Sequence, residues 1–265
     1  MTRLYRNAFM AAVMIFLAAP LVVVAAVSVN AKKQLLFPPR GFSLNWYVEL
    51  FTQNDWLNAV KNSLIIATAS GLLAISIALP LAYFAWRYRV FYAKALFALG
   101  VAPFMLPPVI TALGFLIFWI NIGMYGQMAA TLVSHAIFFV TLPLVTISLG
   151  LESIDEEVVE AAQTMGANDR TVFRTIILPL VRPYIVSGYA FAFVLSLNEY
   201  IVAYMVAGFT VETLPIKIFN SLRYGYTPVM ASVAVLFVAT AILVFGLIAR
   251  FGDLPKLLGA WSERE

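Results

Sequence analysis

Six stretches of this chain are too long and too apolar to remain in water, and this excludes most soluble folds. They lie at roughly 8–29, 63–86, 95–120, 128–149, 184–207 and 229–251. A helix needs about 20 mostly apolar residues to cross the hydrocarbon core of a bilayer. Irregular backbone there would leave its polar groups unpaired, so each stretch is expected to be a helix. The whole chain agrees, being 63% hydrophobic and 11% charged, with a mean hydropathy of +0.92. The expected class is an all-α integral membrane protein formed by one transmembrane domain over residues 1–265. The first stretch follows Arg3 and Arg6, and "AAVSVNA" resembles a cleavage site. Its apolar run exceeds the about 7–15 residues of a signal core, so a retained span is expected.

Several chemistries are excluded at once. With no cysteine there is no disulfide, thiolate metal site or thiol nucleophile. No run fits the phosphate-cradling pattern G-x-x-x-x-G-K-[ST], and one histidine cannot build a metal cluster. No catalytic residue and no cofactor is therefore assigned to this chain. The net charge of +4 reads as basic loops on the inner membrane face rather than as a nucleic-acid surface.

Basic residues also set the direction. The turn after the second span holds Arg87, Arg89 and Lys94, whereas "NIGMYGQ" after the third holds none. Both termini together with the even-numbered loops carry 11 of the 17 Lys and Arg residues. Both termini are thus expected in the cytoplasm. Lys32, Lys33, Arg40 and Lys61 in the first outer loop weaken this bias without reversing it. Residues 42–61, rich in Trp and Tyr, suit a short helix at the outer interface. Pro20, Pro80, Pro103, Pro107, Pro108 and Pro143 can each bend a helix. Only "PFMLPP" (103–108) is dense enough to suggest a broken one.

The segment between spans four and five has the character of a soluble protein. Ser153-Ile154-Asp155-Glu156 fits a capping box with Ser153 as N-cap. Val158, Ala161, Ala162 and Met165 form an apolar stripe at helical spacing. Gly166 stands where a left-handed residue ends the helix. Asn168 is placed to cap a second helix running to about Ile177, before Pro179. A mere linker needs no apolar stripe, so that face is expected to be covered by the membrane surface or a partner.

Glu160-Ala161-Ala162, three residues, Gly166, nine residues, Ile176, one residue, then Leu178-Pro179 resembles the EAA loop of binding-protein-dependent ABC importer permeases. The likeness covers a core of about 60–250. It implies a type I importer permease fold in a bacterial inner membrane, with residues 150–182 as a cytoplasmic coupling loop. Its coupling helix would dock on an ATP-binding cassette ATPase through Val158, Glu160, Ala161, Ala162, Met165 and Gly166. ATP and Mg would reside on that ATPase. The further partners implied are a second six-helix permease, forming a heterodimer if it is a paralogue, and a periplasmic substrate-binding protein. "SLNEYIVAYMVAG" and "ETLPIKIFNSLRYGYTP" are similar to segments of the polyamine branch, the spermidine/putrescine permeases of the C-type subunit. Where that branch often carries paired acids this chain has Asn198-Glu199, and Pro108 stands at another position where an acid can occur.

Glu199 is the only acidic residue in any of the six stretches. A charge in lipid costs several kcal/mol, so such a residue faces a bundle interior or a watery path. On a continuous helix it would lie about 24 Å from Pro183, in the outer half. Ser196, Asn198, Tyr200 and Tyr204 would share its surroundings as candidate path residues. A carboxylate beside tyrosine rings suits an ammonium-bearing solute. Alternatively, Glu199 pins a helix interface. Putrescine, spermidine, an opine or an amino acid derivative all fit. His135 is expected to be a hydrogen-bonded packing histidine rather than a proton-relay group. Lys217 and Arg223, on an outer helix, are candidates for contact with a docked binding protein. An ion-coupled secondary transporter would need more intramembrane ionisable groups than one Glu and one His.

Overall fold

The computed structural model describes residues 2–88, 91–225 and 227–251. Among them every regular element is a helix, apart from one isolated bridge between Asn30 and Phe42. The elements in order are α1 (Thr2–Ser28), α2 (Asn45–Thr52), α3 (Asn54–Tyr88), α4 (Phe91–Met105), α5 (Pro108–Asn121), α6 (Met128–Phe139), α7 (Thr141–Glu152), α8 (Glu156–Thr164) and α9 (Asp169–Val172). A π-helical turn, Phe173–Ile177, leads into α10 (Leu178–Asn198), α11 (Ile201–Ala207), α12 (Leu214–Tyr224) and α13 (Val229–Phe251). Arg89 and residues 252–265, both used in the charge argument, lie outside the described residues.

Among the described residues five helices are long and apolar enough to cross a membrane: Arg3–Ser28, Asn54–Tyr88, Met128–Glu152, Asp169–Asn198 and Val229–Leu247. The third expected span is not one straight helix. Its two arms, α4 and α5, meet at 110°, and each is only about 21–22 Å long, short of the hydrocarbon thickness of about 30 Å. The cause is local. Pro107 pushes Leu106 out of helical backbone, and neither Pro107 nor Pro108 can donate an N–H. The Thr111 hydroxyl then donates back to the Pro103 carbonyl across the break, at 3.2 Å. The expected broken helix is therefore present, and it interrupts the expected span.

Two further boundaries differ from expectation. The helix expected to stop near Ile177 runs on from Asp169 to Asn198. The wide turn at Phe173–Ile177, closed by the Leu178 N–H on the Phe173 carbonyl, leads into Pro179 without a stop. At the other end, the stretch 184–207 is interrupted after Asn198 and resumes at Ile201.

The bundle is built around α3, α7 and α10. Small residues on α3 (Ala74, Ala78, Ala82) bury against Leu144, Ile147 and Val181, which allows the close backbone approach that helices use where water supplies no driving force. The α7–α10 crossing is tighter still. A Cβ on Gly188 would lie 2.6 Å from the Pro143 Cα, and one on Gly150 would lie 2.6 Å from the Tyr184 ring. By contrast α1 is almost bare: only 6% of its span is buried, and it packs against α13.

The loops sort to two ends. Arg87 meets Asp169 at 3.5 Å, and Tyr83 sets its ring edge to Phe173, centroids 4.9 Å apart, so the ends of α3 and α9 lie together. At the opposite end the Trp46 indole donates to the Asn30 carbonyl at 2.6 Å, and Asn62 donates to the Glu212 carbonyl at 2.9 Å. The aromatic segment 42–61 contributes the short helix α2 to that second end and then enters α3 directly.

Candidate functional site

The two sets of candidate residues lie at opposite ends of the bundle. At the first, α8 is a short amphipathic helix with caps at both termini. Asp155, not Ser153, is its N-cap: the carboxylate accepts the Glu157 N–H at 3.0 Å. Ser153 instead closes α7, its hydroxyl donating to the Gly150 carbonyl at 2.8 Å. A side chain committed to the preceding helix cannot cap the next one, so the start moves two residues on. At the other terminus Gly166 has φ +89°. Its N–H donates to the Gln163 carbonyl and the Ala167 N–H to the Ala162 carbonyl, at 2.9 and 3.0 Å. That pair of bonds is a Schellman cap, which requires the left-handed residue at this position. Asn168 caps α9 as expected, accepting the Thr171 N–H at 2.9 Å.

The apolar stripe divides between two faces. Ala162 turns inward with Val159, both packed on Ile154, Val172 and the α3–α7–α10 core. Val158, Ala161 and Met165 face outward with Glu160. Val158 is 48% exposed and Met165 82% exposed. Spaced three and four residues apart, they form one ridge. The helix is thus held to the bundle on one side and presents an apolar edge on the other. Asp169 ties the hairpin to α3, accepting from Gln163 at 3.0 Å while pairing with Arg87.

At the second end, Glu199 occupies the break between α10 and α11. One carboxylate oxygen accepts the Val202 N–H at 2.8 Å and the other accepts the Ala203 N–H at 3.0 Å. The residue therefore caps α11, in a gap that the continuous-helix expectation did not contain. His135 of α6 brings Nε2 to 3.2 Å from the same carboxylate; the two side chains are 1% and 8% exposed. This separation is in ion-pair range but off the line of a good hydrogen bond. The His135 Nδ1 lies 2.8 Å from the Ser196 hydroxyl, which lies 3.2 Å from the Ser70 hydroxyl. Ser196 and Glu199 are thereby drawn into a buried polar network with His135, which packs as the hydrogen-bonded histidine the sequence led one to expect.

Of the other candidates at this end, one is exposed and the two tyrosines are half-buried. Asn198 is exposed, its amide donating to the Val194 carbonyl at 2.8 Å. Tyr200 and Tyr204 stack with centroids 5.3 Å apart and planes at 25°. The stack is extended by Phe219 of α12, 4.8 Å from Tyr200, and by Phe209, 5.8 Å from Tyr204. Nothing in the sequence marked these phenylalanines, because they reach the tyrosines only through the α11–α12 turn. Lys217 is engaged within the chain, 3.0 Å from Glu212 and 3.8 Å from Asp55. Arg223 lies over the Tyr224 ring at 5.3 Å. Among the described residues no three His, Asp or Glu side chains gather as a metal site.

A helical bundle with a sharply bent helix pair and a capped, outward-facing helix at one end is the architecture of a membrane-embedded helical protein with an exposed docking edge. The chain belongs to the family of binding-protein-dependent transport system inner membrane components, which it matches over residues 70–253. It is thus a permease subunit of the ABC importer class, which lacks an ATPase site of its own. Among curated relatives, the spermidine/putrescine transport system permease protein PotC of Haemophilus influenzae is 31% identical over 89% of this chain and 92% of that protein. PotC of Escherichia coli is 31% identical over 94% and 95%. The putrescine transport system permease protein PotI of Escherichia coli is 33% identical over 94% and 89%. The fold is shared with a bacterial importer of the polysaccharide alginate (TM-score 0.72, 14% identity, 94% of this chain and 96% of that one). It is also shared with the MetNI methionine transporter (TM-score 0.60, 20% identity, 77% and 95%).

Proposed function

We propose that this chain carries a small amine-bearing solute, a polyamine such as putrescine or spermidine, from a periplasmic binding protein into the cytoplasm. The bent pair α4–α5 counts as one crossing in this reading, giving six spans and cytoplasmic termini in a bacterial inner membrane. The shared end of α3 and α9, which carries Arg87, Arg170 and Arg174, supports that orientation by the preference of basic loops for the inner face.

The observation that carries the reading is the exposed Val158–Ala161–Met165 edge on a helix capped at both termini. Such an edge needs an apolar partner, and an ABC ATPase holding ATP and Mg is the partner that fits. Closure of two ATPases would draw this helix toward its counterpart on a paired permease, a paralogue, and reorient the spans as rigid bodies. Glu160, exposed beside that edge, joins the contact, while Ala162 and Gly166 keep the helix and its turn in shape. At the other end Asn198, Tyr200 and Tyr204 form the solute-facing wall, with Ser196 and Glu199 behind it. Ring faces attract ammonium groups, and the polyamine names of the relatives agree with that chemistry.

Two experiments test the coupling half. A cysteine at Val158 is expected to cross-link to one in the ATPase surface groove, whereas a cysteine at the buried Val159 is not. The reverse pattern would remove the contact. Gly166→Val meets no neighbouring atom, so its penalty is purely conformational, about 1–2 kcal/mol for left-handed backbone. Uptake is expected to fall roughly tenfold with insertion intact, while Gly166→Asn, which tolerates that backbone, retains most uptake. Equal effects from Val and Asn would show that the turn geometry is not what matters.

A further inference from the structure

The charge of Glu199 suits a cationic solute, yet its surroundings leave it little to offer one. Each carboxylate oxygen already accepts a backbone N–H, at 2.8 and 3.0 Å. His135 closes a further side at 3.2 Å, and the Glu199 side chain is 8% exposed. A carboxylate is acceptor-only, so the His135 proton that faces it belongs on Nε2. Nδ1 is then free to accept the Ser196 hydroxyl at 2.8 Å. Ser70 continues the line into α3 at 3.2 Å. Four segments of the bundle, namely α3, α6, α10 and the start of α11, meet at this one point.

The tyrosines follow directly from it. Tyr200 is the residue next to the capped break, with φ −111° and ψ −42°, and Tyr204 lies one turn on. The direction of α11, and therefore of both rings, depends on the Glu199 carboxylate holding the Val202 and Ala203 N–H groups. We infer that His135 is a positioning residue for solute recognition: with Ser196 it clasps Glu199, which fixes the α10–α11 break and so the presentation of Tyr200 and Tyr204. This rests on the reading of those tyrosines as the solute-facing wall.

The chain contains no cysteine, so Tyr204→Cys supplies its only thiol. In the assembled importer with cysteine-free partners, the rate of labelling by an impermeant maleimide reports how position 204 is presented. His135→Leu is expected to change that rate by roughly fivefold or more, the scale of a lost helix cap, and to raise the KM for putrescine. A thiol at Lys33, exposed in the first outer loop, keeps its rate. His135→Gln, which keeps a donor, restores the wild-type rate at position 204. Should His135→Leu fail to assemble, His135→Leu with Glu199→Gln removes the orphaned charge, and the rate at 204 is still expected to differ from wild type. An unchanged rate in whichever of the two assembles would overturn the proposal. So would a Glu199→Gln variant whose KM worsens more for spermidine than for putrescine, because that dependence on solute charge marks direct contact. A separate result concerns the wall itself: if putrescine fails to protect the thiol of the Tyr204→Cys variant in an otherwise unaltered chain, the path reading fails while the clasp stands.

Discussion

Met165→Asp is expected to abolish most solute uptake, by at least about 30-fold, while leaving the permease inserted and folded. Met165 is 82% exposed, and nothing in the bundle depends on its side chain, so the folded chain loses little. In the assembled importer the same side chain lies at the far end of the Val158–Ala161–Met165 edge, where it would enter the partner's surface. Truncating a buried anchor of an interface costs about 2 kcal/mol or more, which is about 30-fold. A carboxylate driven into that contact adds the cost of desolvating an unpaired charge. Uptake into vesicles and co-purification of the ATPase subunit are the two measurements. A variant that retained both would show that this edge touches nothing of consequence. Val158→Asp should behave alike, being on the same ridge but 48% exposed and so less separable from folding.

The second large effect is one of folding. Gly188→Val should leave little correctly assembled permease, because its Cβ would lie 2.6 Å from the Pro143 Cα and 2.5 Å from the Thr146 hydroxyl oxygen. Backbone cannot move aside as a flexible side chain can, so α7 and α10 must separate along the most closely packed seam of the core. Overpacking by a single methyl costs about 1–3 kcal/mol; valine adds two more carbons at the same crossing. Gly188→Ala is accordingly expected to lower the melting temperature in detergent by roughly 2–12 °C, at about 2–4 °C per kcal/mol for a chain of this size. Gly114→Ala is the matched control. It lies inside α5 with no atom within 4 Å of its Cβ, so a methyl there should hold or slightly raise stability. Equal effects at the two glycines would mean that the α7–α10 contact is looser than its geometry implies.

Much of this was legible beforehand. The apolar runs announced their helices, since a run that long has no other stable form in lipid. Pro107 and Pro108 announced the break, because two adjacent residues without N–H groups cannot continue a helix. Gly166 announced the turn, and the spacing from Glu160 to Pro179 announced the family. The failures share one cause. Ser153 and Asp155 are both competent caps, and choosing between them required knowing that the Ser153 hydroxyl was already bound to Gly150. Val158 and Ala162 stand four positions apart on one expected stripe, and only the placement of α8 against Ile154 and Val172 decided which was covered.

The sequence by itself determined the solvent, the number of apolar runs, the glycine turn and the motif, because these depend on residues within a few positions of one another. Only the tertiary structure decided that Glu199 lies at a break, and that its oxygens are held by Val202, Ala203 and a histidine 64 positions earlier in the chain. A carboxylate's role is set by which donors reach it, and donors on other helices arrive only when the bundle closes.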